Sequence, residues 1–247
     1  MNTLIVGGRG GIGQALLQHC AESPDSDWLG ATYFRAAAPL TNEIGASVEP
    51  DTIVWHQLNV TNEASVAELA ADLSTRQIKL HRLINTVGYL HTPTYGPEKS
   101  LRDINPEQYL ESQRVNALPS LLLAKHLGPL LRHDDPASFV SISARVGSIT
   151  DNRLGGWYSY RASKAALNMS LKCIAVEWAR THRNVCVAAL HPGTTDTALS
   201  QPFQQRLPPG QLQSAAWTAA ALMAVIENLS ASQTGRFWAF DGAEIPW

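Results

Sequence analysis

Tyr160 and Lys164 lie four residues apart in a stretch whose apolar spacing predicts a long helix over Tyr158–Thr181. Side chains at positions i and i+4 of a helix share one face, so the phenol and the ammonium group would be neighbours. A nearby cation favours the phenolate and is expected to lower the tyrosine pKa towards working pH. The pair could then exchange a proton with a carbonyl or alcohol oxygen. A Tyr and a Lys that share a solvated helix face by chance would show the same spacing.

A glycine-rich loop follows the first apolar run of the chain, with the sequence GGRGGIG at residues 7–13. Glycines at such a place let the backbone turn tightly and approach a pyrophosphate, while the helix that follows offers free N–H groups. We therefore expect dinucleotide binding by Gly7, Arg9, Gly11, Ile12 and Gly13. A purely structural turn is the alternative, because the spacing differs from GxGxxG.

Two polar residues upstream of Tyr160 strengthen the catalytic interpretation. Ser143 ends a predicted strand beside the carboxyl edge of the first strand, which is where open α/β sheets bind ligands. Asn116 is expected in the middle of a predicted helix over residues 106–131, where an amide has poor helix propensity. It could also serve only as a donor to a helix neighbour.

The elements that must position these side chains alternate along the chain as short apolar runs and longer helical segments. This alternation predicts one α/β domain over residues 1–247, a doubly wound parallel sheet of seven strands with helices on both faces. Residues 36–50 read as a surface loop and residues 192–210 as a possible mobile lid. The predicted strands cover residues 3–7, 29–34, 52–58, 82–86, 138–143, 185–190 and 236–240, and the predicted helices residues 12–22, 63–74, 106–131, 158–181 and 215–228.

Composition argues against several classes of protein. The 19 Lys and Arg against 21 Asp and Glu give a formal charge of −2, which offers no basic field for nucleic acid and no polybasic membrane patch. Three scattered cysteines suit free thiols in a reducing compartment. Without a signal-like opening or a long apolar run, a cytoplasmic protein is expected. The dispersed histidines predict no metal site.

Taken together, these motifs resemble the short-chain dehydrogenase/reductase family over nearly the whole chain. The resemblance implies a Rossmann fold, an NAD(P)H cofactor and interconversion of a small-molecule carbonyl and alcohol by hydride transfer. It places Tyr160, Lys164, Ser143 and Asn116 in catalysis: Tyr160 exchanges the proton, Lys164 holds the nicotinamide ribose, Ser143 binds the carbonyl oxygen and Asn116 completes a water relay. It further assigns cofactor contacts to Asn59, Val60, Asn85, Val87, Gly88, Tyr160, Lys164, Pro192, Gly193 and Thr194.

A narrower similarity, carried by residues 147–149, 155–168 and 240–247, is to sniffer-like carbonyl reductases and the bacterial C-factor proteins. One position departs from the family pattern. The family carries two serines before x-x-Gly, the second of them catalytic, whereas a strict alignment puts Ala144 at that place. Either Ser143 takes the role, as we favour because strand ends can bulge, or Ser148 substitutes, or the function is absent.

The cofactor choice depends on the end of the second strand. An acidic residue there would hold the ribose 2′-hydroxyl of NAD, whereas Arg35 stands in that region and favours a 2′-phosphate. Arg9 could add a second positive charge. NADP is therefore expected, with NAD the less favoured cofactor and a merely solvated Arg35 the alternative.

Three further interpretations come from the same residues. A non-catalytic dinucleotide-sensing or signalling protein on this fold is the main rival to an enzyme, because Ala144 replaces a serine. A sugar-nucleotide epimerase or dehydratase would need more chain after residue 193, and no nucleophile elbow supports a serine hydrolase. The resemblance also implies a homodimer or homotetramer built on the two longest helices. Trp157, Tyr95 and Phe203 suggest an apolar or aromatic carbonyl substrate.

Overall fold

A computed structural model describes residues 1–35 and 52–247 of the chain. Its nine strands are β1 (Asn2–Val6), β2 (Trp28–Tyr33), β3 (Ile53–Gln57), β4 (Arg82–Asn85), β5 (Ala137–Ile142), β6 (Val185–His191), β7 (Thr194–Thr195), β8 (Leu212–Gln213) and β9 (Arg236–Ala239). Its six α-helices are α1 (Gly11–Ala21), α2 (Glu63–Thr75), α3 (Pro106–Asn116), α4 (Leu118–Leu131), α5 (Tyr158–Thr181) and α6 (Ala215–Glu227).

Seven strands form one sheet in the order β3-β2-β1-β4-β5-β6-β9, and all neighbours are parallel. The predicted doubly wound parallel sheet is confirmed, and each of its strands starts and ends within one residue of the expected place. Strand β1 has β2 on one side and β4 on the other. The chain therefore changes direction across the sheet beside β1, and ligands of such sheets bind at this point.

Both faces of the sheet are covered, as its apolar strands require. Leu4 and Val6 of β1 pack on one side into the cluster that includes helices α2, α4 and α5, and Ile5 packs on the other side with α1 and α6. Successive side chains of a strand point to opposite faces, so a strand buried on both sides is apolar throughout. Core packing holds the strands in place. It therefore fixes the position at which each strand ends and the loop after it begins.

The single helix expected over residues 106–131 is wrong, because the structure has two helices there. Helix α3 ends at Asn116 and α4 begins at Leu118, with Pro119 in its first turn. Proline lacks the N–H that would continue the helix, and its ring clashes with the preceding turn. Asn116 therefore lies at a helix end and not in the middle of a helix.

Two predicted loops have different outcomes. The loop over residues 36–50 lies outside the described residues. In the segment 192–210, the structure has strand β7, which pairs with β8, and a short 3-10 helix over Gln201–Arg206. This segment lies across the carboxyl edge of the sheet, where it closes one side of the site described next.

Candidate active site

A cavity of about 550 Å³, here the first cavity, opens at the carboxyl ends of β1, β4, β5 and β6. It brings together most of the residues singled out from the sequence, although they come from distant parts of the chain. The predicted site residues that line it are Gly7, Gly11, Ile12, Gly13, Val87, Gly88, Ser143, Tyr160, Lys164, Pro192, Gly193 and Thr194.

A second cavity of about 710 Å³ lies beside the first and shares Gly7, Gly10 and Val87 with it. Its lining includes four further residues singled out from the sequence, namely Arg9, Arg35, Asn59 and Val60. Asn85 and Asn116 are buried and line neither cavity. The two cavities together form one long cleft along the sheet edge, which suits an extended two-part ligand such as a dinucleotide.

The glycine loop between β1 and α1 leaves space that side chains would fill. Gly7 has φ +87°, which disfavours other residues, and a Cβ on Gly13 would stand 2.3 Å from the Gly7 carbonyl oxygen. Thr86, 80 residues away, donates its hydroxyl to the Val6 carbonyl at 2.9 Å and fixes the loop against β4. Helix α1 begins at Gly11, so its unpaired N–H groups face the cleft. The loop fits a phosphate-bearing cofactor.

Tyr160 and Lys164 share the cavity wall in the first turns of α5, as their spacing predicts. The Lys164 ammonium lies 5.7 Å from the Tyr160 ring centre and donates to the Ile142 carbonyl at 2.9 Å. The expected lowering of the tyrosine pKa is wrong for this structure: burial raises the pKa of Tyr160 above its ordinary value. Burial also lowers the pKa of Lys164 to about 8. Tyr160 is therefore a neutral phenol at physiological pH, the form that can donate a proton.

The three residues considered for the catalytic serine position, Ser143, Ser148 and Ala144, have different surroundings. Ser143 reaches the cavity wall, and its hydroxyl donates to Oδ1 of Asn168 at 2.6 Å. Ser148 is buried and donates to the Pro246 carbonyl at 2.5 Å, and it does not line either cavity. Ala144 lines the first cavity at the aligned place. Of the two serines, only Ser143 is within reach of the cavity.

Asn116 acts as a connector between elements. Its amide accepts from the Tyr89 N–H at 2.7 Å and donates to the Tyr89 carbonyl at 2.8 Å and to Ser163 of α5 at 2.9 Å. These bonds connect the end of α3 to the loop after β4 and to α5, the helix that carries Tyr160 and Lys164. A place in a water relay stays a prediction. Asn85 likewise accepts from the Val87 N–H at 3.1 Å and so supports the turn that carries Val87 and Gly88.

The wall of the first cavity is mostly apolar and partly aromatic. Trp157 and Phe203 line it with their ring centres 5.0 Å apart, whereas Tyr95, expected there from the sequence, lies outside the lining. Tyr95 instead donates its hydroxyl to Glu98 at 2.5 Å. His191 also lines the cavity, and burial lowers its pKa to about 4, so it is neutral at physiological pH. Lys164 and Arg145 are the two charged side chains among the residues described as lining this cavity.

The second cavity holds the cationic end of the cleft. Arg9 and Arg35 both border it. Asn59 accepts at Oδ1 from the Thr61 N–H at 3.2 Å and hydroxyl at 2.9 Å, which fixes the orientation of its amide beside Val60. This arrangement suits an adenine edge near Asn59 and a phosphate near the two guanidinium groups.

Glu98, Asn168 and Thr197 were not singled out from the sequence, since each acts through partners far along the chain. A Cβ on Gly11 would stand 2.6 Å from Thr197, so the segment after β6 lies directly on the glycine loop. Within residues 1–35 and 52–247, no three His, Cys, Asp or Glu side chains group as metal ligands. None of the helices described is both long and apolar enough to span a membrane.

Comparison with known proteins agrees with this geometry. The family model described as short chain dehydrogenase matches residues 1–208. The 1-hydroxy-2-glutathionyl-2-methyl-3-butene dehydrogenase of Rhodococcus sp. (strain AD45) is 30% identical over 246 residues, which are 99% of this chain and 98% of that protein. The C-signal protein of Myxococcus xanthus is 30% identical over 148 residues, which are 60% of this chain and 84% of that protein.

Solved structures share the fold over the full chain. An NADPH-bound carbonyl reductase from chicken fatty liver is 26% identical with a TM-score of 0.86, covering 100% of this chain and 94% of that one. The carbonyl reductase Sniffer of D. melanogaster is 22% identical with a TM-score of 0.84, covering 100% of this chain and 99% of that one, and this likeness concerns the fold alone.

Proposed function

The chain belongs to the short-chain dehydrogenase family, and from this premise we propose an NADP(H)-preferring oxidoreductase that interconverts a carbonyl and an alcohol, with Tyr160 as acid and base. One observation carries the proposal: Tyr160 and Lys164 line the same cavity as the glycine loop. A proton donor, a buried cation and a phosphate-binding turn are thus within one cleft. Their proximity matches a hydride transfer coupled to a proton transfer.

The cleft fits the dinucleotide that this chemistry requires. The space left by Gly7 and Gly13 and the N–H groups of α1 would hold the pyrophosphate, while Pro192, Gly193 and Thr194 would meet the nicotinamide. When bound, the cofactor supplies the hydride at C4 of its nicotinamide ring. Lys164 would hold the nicotinamide ribose, and the second cavity would hold the adenosine half.

In the reduction, the residues of the chain bind the carbonyl and move one proton. Tyr160 would donate its phenolic proton to the carbonyl oxygen, and Ser143 would turn its hydroxyl from Asn168 to donate to the same oxygen. Asn116 would complete a water relay that returns a proton from solvent to Tyr160. The apolar wall around Trp157 and Phe203 excludes water from the reacting centre, which strengthens the electrostatic contribution of these groups. In oxidation, Tyr160 would act as the base.

The function is tested by titrating the purified protein with NADPH and NADH, and then following absorbance with aldehydes, ketones and quinones plus the reduced cofactors, and with alcohols plus NADP⁺ or NAD⁺. The panel includes a glutathione-conjugated alcohol, because the Rhodococcus relative bears the name of such a dehydrogenase. Turnover of at least one compound is expected. Binding of NADPH with no turnover of any compound would favour the sensing protein. That rival has less support, since a relative matched over 98% of its length is named a dehydrogenase.

The proposed NADP preference rests on Arg35. We expect Arg35→Asp to weaken NADPH binding by about 10- to 100-fold, because it removes a charge-assisted hydrogen bond to the 2′-phosphate, and to improve NADH binding. Fluorescence titration measures both dissociation constants. Arg132→Asp is the matched control, since it makes the same charge change at the exposed end of α4, away from both cavities. Equal losses for NADPH and NADH would refute the assignment.

The serine assignment gives a separate prediction. We expect Ser143→Ala to lower kcat/KM by about 10²-fold, because a donor to the developing oxyanion is removed. Ser148→Ala should leave kcat/KM near the wild-type value, since its hydroxyl serves the Pro246 carbonyl. Steady-state kinetics of both variants decide the matter. Wild-type turnover in Ser143→Ala, or a loss confined to Ser148→Ala, would contradict the assignment.

The family resemblance implies an oligomer, and the sequence predicts a cytoplasmic protein. We propose a homodimer or homotetramer in the cytoplasm. Supporting a subunit interface, Leu121 of α4 and Met169 and Val176 of α5 are exposed apolar side chains, 43%, 64% and 59% accessible. Met169 and Val176 are seven positions apart and so share one face of α5, and an exposed apolar face favours a subunit interface.

A further inference from the structure

A buried carboxylate stands just outside the first cavity, in the loop between β4 and α3. Glu98 is 2% exposed, and within the described part of the chain the groups that hydrogen-bond its carboxylate are neutral. It accepts from the Tyr95 hydroxyl at 2.5 Å and from the hydroxyl and, at 3.2 Å, the N–H of Ser159. Burial would raise the pKa of Glu98, but the hydrogen bonds from Ser159 and Tyr95 outweigh it and hold the pKa below its usual value. A charged carboxylate is thus kept in the interior.

This carboxylate performs the task of a missing helix cap. The residue before α5 is Trp157, whose side chain makes no capping hydrogen bond. The N–H of Ser159, which has no partner within the helix, is satisfied by Glu98 from 61 positions away. A negative charge at a helix N-terminus is also favoured by the helix dipole. Glu98 therefore fixes the first turn of α5, and Tyr160 is the next residue after Ser159.

The backbone of Glu98 holds the neighbouring aromatic residue as well. The Trp157 N–H donates to the Glu98 carbonyl at 2.6 Å. Trp157 has φ +51°, and Gly155 and Gly156 before it have φ +63° and +64°. Left-handed backbone is unfavourable for a bulky aromatic residue and persists only where its surroundings hold it. The Glu98 carbonyl holds it here, and the hydrogen bonds of the Glu98 side chain to Ser159 and Tyr95 fix that carbonyl in place.

The strained conformation directs the Trp157 ring into the first cavity. Its centre lies 6.1 Å from the Tyr160 ring, at an interplanar angle of 68°, and 5.0 Å from the Phe203 ring. The indole thus forms a wall that adjoins the proton donor. A flat aromatic group beside it would gain ring contacts that a small aliphatic group cannot make.

We propose that Glu98 is a positioning residue that holds Trp157 as an aromatic wall beside Tyr160, and that this wall selects aromatic over small aliphatic carbonyl compounds. The inference rests on the proposed function and adds the substrate class of the same site. Glu98 acts on substrate through Trp157. Its effect should therefore disappear when the indole is absent.

A double-mutant cycle between Glu98→Gln and Trp157→Asn tests this dependence. Asparagine tolerates left-handed backbone, so the second variant removes the ring without removing the fold. We expect Trp157→Asn to raise KM for benzaldehyde by about threefold to tenfold relative to propanal. Glu98→Gln should shift the same ratio in the same direction, and the double variant should shift it no further than Trp157→Asn. NADPH binding should stay unchanged throughout.

Two controls separate positioning from stability. Leu69→Ala removes core packing under α2, and Leu69 lines neither cavity, so the variant should lower the melting temperature without changing the benzaldehyde to propanal ratio. Tyr95→Phe removes one donor to Glu98 and should shift the ratio less than Glu98→Gln does. Additive effects in the cycle, or a Glu98→Gln loss equal for both aldehydes, would overturn the proposal while leaving the proposed function intact.

A binding measurement keeps the inference testable apart from turnover. Calorimetric titration with benzyl alcohol and propan-1-ol in the presence of NADPH, with which an alcohol cannot react, should show tighter binding of benzyl alcohol to the wild type. Both Glu98→Gln and Trp157→Asn should reduce that margin. If the wild type binds the two alcohols equally well, the aromatic wall is overturned, even if carbonyl turnover is found. If it binds benzyl alcohol more tightly but turns over no carbonyl compound, only the proposed reaction is removed.

Discussion

Replacing Tyr160 by Phe is expected to lower kcat for carbonyl reduction by about 10²- to 10⁴-fold, the usual contribution of a general acid. The variant keeps the ring that packs on Trp157 and loses only the hydroxyl. Burial keeps Tyr160 a neutral phenol, so its hydroxyl holds the proton that the carbonyl oxygen requires. Stopped-flow or steady-state absorbance of NADPH measures the loss.

The matched control for this change is Tyr158→Phe, which removes a hydroxyl two residues earlier on the same helix. Tyr158 does not line either cavity, so its loss should leave kcat near the wild-type value. NADPH affinity and melting temperature should be unchanged in both variants. Retention of more than about a tenth of the activity in Tyr160→Phe would be too small a loss for a general acid.

Replacing Lys164 by Met is expected to abolish most turnover and at the same time to stabilise the fold. Lys164 is 2% exposed, and burial lowers its pKa from 10.5 to about 8. Each unit of pKa corresponds to about 1.4 kcal/mol, so holding the ammonium charged in the interior costs roughly 3 kcal/mol at neutral pH. The lost hydrogen bond from this charged group to the Ile142 carbonyl offsets about 1.5 kcal/mol of that gain. A net stabilisation of about 1.5 kcal/mol remains.

The pH dependence of this gain has a definite sign. Below pH 8 the lysine is protonated in both the folded and the unfolded state, and the cost of burial is fully present. Between pH 8 and 10.5 the unfolded state binds more protons, so wild-type stability rises with pH and the advantage of Lys164→Met shrinks. Thermal unfolding followed by circular dichroism at pH 7 and pH 10 measures the effect.

Lys164→Arg is the control for Lys164→Met, because it keeps a charge at the same place and should gain no stability. A Met variant that melts below the wild type at pH 7 would show that the lysine stabilises the fold. We expect instead that Lys164→Met melts above the wild type at pH 7. Lys164 would then be a residue that lowers the stability of the fold, as active-site groups often do.

Sequence patterns were sufficient for the elements that depend on local periodicity. Helix α5 begins at Tyr158 and ends at Thr181, as predicted, because its apolar spacing is regular and a left-handed residue precedes it. The split between α3 and α4 was missed, although Pro119 was visible in the sequence, since the apolar run continues through it. The parallel sheet followed from the alternation of strands and helices.

The site was only partly predictable, because side-chain partners far apart in sequence leave no local pattern. The glycine loop and the pair Tyr160 and Lys164 have fixed spacings and could be identified. The partner of Ser143 could not, since Asn168 meets it only when α5 packs on β5. Glu98 was missed for the same reason: nothing beside it in the sequence indicates that it meets Ser159.

The contact between Thr86 and the glycine loop has a consequence for how the protein reaches its folded state. Since this contact spans 80 residues, the loop cannot take its final shape until β4 has docked beside β1. Closing such long stretches of chain is entropically slow, and parallel sheets are dominated by these non-local pairings. The two cavities of the cleft draw on residues from Val6 to Leu207, so we expect the cleft to form late in folding, and no short fragment can contain it.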